Sequence, residues 1–162
     1  MSAFTVELVR SRRRRRTVGA QLVGSVLKVT VPAWMSAAEA QRWASLMADR
    51  YTRKADASRI DLARKAAQLA RRYGLPEPAS IRWVDSMRTR WGSCTPATGT
   101  IRISSRLAAY PDWVRDYVIV HELAHLRYAG HGREFWRLVE RYPKTERARG
   151  YLMAKSGDGE VE

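Results

Sequence analysis

Hydrophobic and polar positions change their period several times along this chain, and each change marks an element. FTVELVR, residues 4–10, alternates well enough for a strand. In TVGAQLVGSVLKVTVP, residues 17–32, Val26, Lys28 and Thr30 fall opposite Val29 and Val31 at period two, with Gly19 and Gly24 as punctuation and Pro32 as the stop. Residues 4–31 therefore predict two or three antiparallel strands, with Arg12–Arg16 on a strand or at its edge. The period then lengthens. Ser36 followed by Glu39 makes a capping box, and Trp43, Leu46, Met47 and Tyr51 recur at helical spacing. A second helix is expected in SRIDLARKAAQLARRYG, with Ile60, Leu62, Ala63, Ala66, Ala67, Leu69 and Ala70 in its buried stripe and Gly74 at its end.

Alternation returns in IRWVDSMRTRW, residues 81–91, which predicts a strand with one apolar-leaning face and one basic face. GSCTPATG reads as a loop and TIRIS as the partner strand of a hairpin. Pro111 and Asp112 open a helix expected to run to residue 129, where Gly130 and Gly132 break it. REFWRLVERY predicts a further helix stopped by Pro143. The tail AKSGDGEVE is polar, lacks apolar periodicity and is expected to be disordered. No internal repeat is visible. The organisation expected is an N-terminal β segment over 1–35 carrying the arginine run, a main domain over 36–153 and a tail over 154–162. The fold class is α+β, with an antiparallel sheet or hairpin packed on a buried helix.

That helix carries the chemistry. All three histidines of the chain, His121, His125 and His131, fall within VHELAHLRYAGH, residues 120–131. Val114, Val118, His121, His125 and Tyr128 share one stripe, while Ile119, Leu123 and Leu126 occupy a second face and Trp113, Tyr117, Val120 and Ala124 a third. A helix so apolar around its circumference is a central one, and polar groups on it need partners. His121 and His125 stand one turn apart, so both rings project to one point, as zinc ligation requires. Glu122 is rotated by about 100° from His121 and lies beside that point.

Three protein ligands and a water define a hydrolytic zinc site, and His131 is the preferred third ligand, with Glu134, Glu140 and Glu146 as alternatives. One zinc ion per chain would activate a water and polarise a scissile carbonyl, with Glu122 as general base. HExxH also arises by chance in helices, where His and Glu merely pair or face solvent. The third histidine and the apolar helix around the motif favour metal binding over chance. Cys94 has two readings. Its thiolate in a fourth position would make the site closed and structural, but such sites are usually cysteine-rich. A small buried hydrophobe is the favoured reading.

Composition narrows the setting. The net charge is +14, from 30 Lys and Arg against 16 Asp and Glu, which makes nucleic acid a candidate partner but says nothing about chemistry. No apolar run approaches the ~20 residues of a membrane span, and none resembles a secretory signal. The single cysteine leaves no intramolecular disulfide and fits a reducing cytoplasm, the expected location.

Longer motifs add a resemblance. RWGSC, then PDWVRDYVIVHELAHL, then HGREFWRLVERYP, resemble the YgjP-like metallopeptidase family, itself similar to the SprT and Spartan zinc proteases. The resemblance covers most of the chain and is strongest over residues 81–152; RSRRRRR also fits. It implies a small zincin fold, zinc on His121, His125 and His131, and Glu122 as catalytic base. The spacing HExxHxxxxxH is also that of metzincins, but Tyr128 stands at their glycine position and no methionine turn follows.

The expected activity is hydrolysis of peptide bonds in a protein or peptide, with DNA-associated proteins suggested by the Spartan analogy alone. Arg88 and Arg90 would flank the cleft if strand 81–91 pairs with an extended substrate, and Trp91 and Tyr128 complete the substrate-binding candidates. Oxyanion candidates are Tyr128, Tyr142, Tyr151 or an arginine, while Phe135 and Trp136 read as packing beneath the third ligand. Five consecutive arginines on a strand would point both ways, which favours a solvated face over a phosphate-binding one. Two competitors remain: a nucleic-acid-binding module with structural zinc, and an inactive scaffold with a blocked cleft.

Overall fold

A computed structural model describes residues 4–156. The chain divides into two compact units, Met1–Ala55 and Asp56–Glu162. In the first, β1 (Thr5–Ser11), β2 (Gly19–Val23) and β3 (Val26–Pro32) form a sheet of order β1-β3-β2. β2 and β3 are an antiparallel hairpin, turned at Gly24, whose φ of 59° is cheap only for glycine. β1, expected to be antiparallel, pairs with β3 in parallel. The seven-residue connection 12–18 is what permits this, since it carries the chain from β1 to the far edge of the hairpin. The arginine run sits in that connection, not on a strand.

Leu27, Val29 and Val31 of central β3 are fully buried, and Met35, Ala40, Trp43 and Met47 pack with them. The last three lie on α1 (Ala37–Ser58) or its first turn. Ser36 caps that helix, its hydroxyl accepting from the Glu39 N–H at 3.2 Å.

The second unit is built around one helix. α2 (Leu62–Tyr73) starts at Asp61, whose side chain accepts from the Arg64 N–H, and ends at Gly74 in the left-handed conformation. β4 (Ser80–Val84), β5 (Gly92–Thr95) and β6 (Thr100–Ser104) form a second sheet of order β4-β6-β5, with β4 parallel and β5 antiparallel to β6. The strand expected over 81–91 stops at Val84, and the expected loop GSCT is itself a strand. Alternation in DSMRTRW misled because those residues are mostly exposed, so no buried face holds them to a pleat.

A 3-10 turn, Ser105–Ala109, leads into α3 (Asp112–His125). Buried Arg115 seats the start of α3: it pairs with Asp112 and donates to the Leu107 and Tyr110 carbonyls at 3.1 and 3.0 Å. Every α3 residue from Tyr117 to Ala124 is buried. Fully burying an Ile or Leu contributes roughly 1.5–3 kcal/mol, so Ile119 and Leu123 alone anchor the helix firmly. The helix ends four residues before the expected 129. Its last turn tightens, the Leu126 N–H donating to the Leu123 carbonyl and the Arg127 N–H to the Ala124 carbonyl, and frees residues 126–132 to bend.

α4 (Arg133–Val139) and α5 (Thr145–Ser156) complete the unit. No element was expected over 144–153. Thr145, Ala148 and Leu152 nevertheless form a buried stripe. The helix takes in residues 154–156 of the expected tail, and 157–162 lie outside the described residues. No described helix is long and apolar enough to cross a membrane.

Candidate metal centre

α3 and the bend after it bring the three histidines together. The Nε2 atoms of His121 and His125 are 3.2 Å apart, those of His125 and His131 3.0 Å, and those of His131 and His121 3.3 Å. Three nitrogens bound tetrahedrally to zinc at 2.0–2.1 Å would sit about 3.3 Å from one another, so the donor set fits the ion. The ring tautomers fit too. His125 Nδ1 lies 2.9 Å from the Tyr128 carbonyl, which can only accept, so that nitrogen carries the proton and Nε2 presents its lone pair. His121 Nδ1 meets the Tyr117 hydroxyl at 3.4 Å. Neutral imidazoles with lone pairs converging at 3 Å repel unless a cation lies between them.

Burial favours the neutral form of the two helical rings, His121 and His125. It pushes His121 down to about 3, with His125 and His131 adding to the effect, and lowers His125 as well. Phe135, fully buried at the start of α4, forms the floor. It stacks on His125 at 4.4 Å and meets His121 and His131 edge-on at 4.9 Å. Trp136 lies 6.1 Å from the rings of His121 and His131. Both aromatics pack around the histidines, as expected.

Glu122 is 4% exposed, and a cavity of about 360 Å³ opens over it and the three histidines. Burial raises its carboxyl to about 8, against the opposing pull of Arg90. Across the cavity stand Arg90 and the β5 residues Gly92, Ser93 and Cys94. A Cβ on Gly92 would fall 2.8 Å from Glu122 Oε1 and 2.9 Å from its Cγ, so the carboxylate occupies the space a side chain would take. Gly92 was not singled out in the sequence. RWGSC held the signal, but only the strand's proximity to α3 explains it.

Among the described residues, the ligand atoms gathered within 4.8 Å belong to the three histidines. Cys94 is outside that group and its thiol is pushed up to about 11, first by burial and then by Glu122, which disfavours a thiolate. Glu134, Glu140 and Glu146 are outside it as well; Glu134 and Glu146 pair with Arg137 and Arg149. Of the substrate-binding candidates, Arg90 lines the cavity. Arg88 is exposed and does not line it, Trp91 is buried in the core, and Tyr128 contributes its carbonyl to His125. Tyr142 donates its hydroxyl to the Trp113 carbonyl, and Tyr151 packs edge-on against Tyr110 and Trp113. Neither tyrosine lines the cavity.

A helix carrying HExxH, a third histidine beyond its end and a mixed sheet beside it define a metallopeptidase domain. The model of the YgjP-like family, described as a metallopeptidase domain, matches residues 35–155, and the chain belongs to that family. Two crystal structures are similar in fold. The metallopeptidase zymogen of Pyrococcus abyssi abylysin is 20% identical with a TM-score of 0.53, over 60% of this chain and 96% of that one. The zymogen of Methanocaldococcus jannaschii jannalysin is 19% identical with a TM-score of 0.51, over 59% and 97%. No curated protein matches the chain.

Proposed function

We propose that this protein hydrolyses peptide bonds with one zinc ion held by His121, His125 and His131 and with Glu122 as general base. The observation that carries the reading is the convergence of three Nε2 atoms beside a buried carboxylate. Bound zinc would supply a Lewis acid for the scissile carbonyl and lower the pKa of water. Its charge would also draw Glu122 down from the value burial imposes, leaving an ionised carboxylate able to take a proton. Glu122 accepts that proton at its carboxylate and returns it to the departing amine. Tyr117 and the Tyr128 carbonyl orient the two helical imidazoles through their Nδ1 atoms.

The substrate in this reading is an extended polypeptide laid along β5. As an edge strand β5 offers one side of its backbone for pairing, a role the sequence had suggested for 81–91. Arg90, on the cavity wall, binds a substrate carbonyl or carboxylate. Cleavage of DNA-associated proteins is the finer form of the proposal.

The deciding experiment is a metal assay of purified protein together with casein turnover, with and without single-stranded DNA. The expected result is about one zinc per chain, and turnover that Glu122→Gln abolishes while zinc stays bound. Zinc without turnover in either condition would leave the inactive scaffold. DNA binding with zinc but no hydrolysis would leave the binding module.

A further inference from the structure

The connection between β1 and β2 opens with Arg12–Arg16, all exposed. On a strand, alternate arginines would face opposite ways. In a loop that constraint is gone, and five guanidinium groups can fan over one surface.

The loop is also held in place. The Ala33 N–H donates to the Ser11 carbonyl at 3.0 Å, and Arg10 donates to the Ala33 and Met35 carbonyls. The Trp34 indole N–H donates to the Arg15 carbonyl at 2.9 Å. Trp34 is 67% exposed, the most open of the exposed large hydrophobics. Its one polar atom is therefore tied to the arginine loop while its ring remains open to solvent. Among the described residues, no carboxylate forms an ion pair with any of the five arginines.

We propose that Arg12–Arg16 and Trp34 form a binding surface for single-stranded nucleic acid, with the arginines on successive phosphates and the indole stacked on a base. Guanidinium groups bind phosphate bidentately, and an aromatic platform beside a basic track is how unpaired strands are held. A duplex would offer its phosphates but keep its base faces stacked away from the indole. A lipid surface calls for a broad apolar face. The exposed Val6 and Leu8 lie on β1, and the exposed Leu22 and Val23 at the other end of β2, about 10–13 Å along that strand from Gly19. The surface belongs to the unit Met1–Ala55 and does not rest on the hydrolytic reading.

The test is fluorescence anisotropy of the full chain with a labelled oligothymidylate, the same measurement on a duplex, and a salt series. Single strands should bind more tightly than duplex, with log K falling against log salt at a slope of about −3.5, as about five phosphate contacts require. Trp34→Ala should weaken single-strand binding about tenfold without changing that slope, and Trp34→Phe should restore most of the loss. Replacing Arg12–Arg16 with glutamine should flatten the slope, and Glu122→Gln, although it removes the general base, should leave the oligonucleotide affinity as it is. Equal affinity for duplex with a silent Trp34→Ala would overturn the proposal. So would binding to anionic phospholipid vesicles without binding to the oligonucleotide, or unchanged binding after loss of the arginines.

Discussion

Gly92→Ala is the most direct probe of the cavity, because it adds one carbon and removes nothing. The added Cβ would lie 2.8 Å from Glu122 Oε1, 2.9 Å from Cγ and 3.1 Å from Cδ. Ordinary contact begins near 3.4 Å, so the carboxylate must retreat by about 0.6 Å. At 4% exposure the Glu122 side chain has little room to swing clear. Catalytic groups tolerate about 0.5 Å of displacement, and a 1 Å error costs on the order of 100-fold. The expected loss in kcat/KM is therefore about 10- to 100-fold, or roughly 1.4–2.7 kcal/mol of transition-state stabilisation.

Zinc content should be unchanged, since the three atoms nearest the added carbon all belong to Glu122. Overpacking also costs about 1–3 kcal/mol of stability, so melting must be measured alongside peptide turnover. A companion variant separates the two effects. Glu122→Asp shortens the acid by one methylene, so the double variant should lose less than the product of the two single losses. Wild-type turnover in folded, zinc-loaded Gly92→Ala, or strict additivity with Glu122→Asp, would refute the reasoning.

Three further outcomes are expected. His131→Ala should weaken zinc binding by more than the ~10- to 100-fold typical of an outer-shell partner, with metal-free melting little changed because His131 lies in an exposed bend; isothermal titration and calorimetry check both. Cys94→Ala should leave zinc stoichiometry and turnover intact, and loss of the metal by mass spectrometry would revive the closed site. For chelator-treated protein, urea titrations across pH should show two opposing limbs. Glu122, raised from 4.5 to about 8, binds a proton in the folded state that the unfolded chain has released, so stability falls as pH rises through that window. His121, lowered from 6.5 to about 3, stays neutral while the unfolded chain protonates, so stability falls as pH drops through its window. Glu122→Gln should remove the alkaline limb and leave the acid one.

Much of the molecule was legible in the residues themselves. The helix through His121 and His125 is apolar on every side, so its central place followed from periodicity. The spacing of those histidines places two rings on one stripe whatever surrounds them. Ser36 began its helix, and Gly74 ended another, through a local hydrogen bond and backbone freedom. These are properties of a few neighbouring residues, and the sequence alone determined them.

What tertiary structure decided were pairings between distant residues. β1 lies parallel to β3, and GSCT is a strand because β6 supplies its hydrogen bonds. Neither partner is written in the local pattern. Residues 126–132 bend back so that His131 reaches the other two rings, and Phe135 closes the floor beneath all three. Gly92 matters only because β5 passes against Glu122. The arginine run lies in a connection, not on a strand, because β1 ends at Ser11. Short-range sterics and hydrogen bonds act within a turn or two of the chain; which strand edge or ring meets which across longer separations is settled by the packing of the whole core.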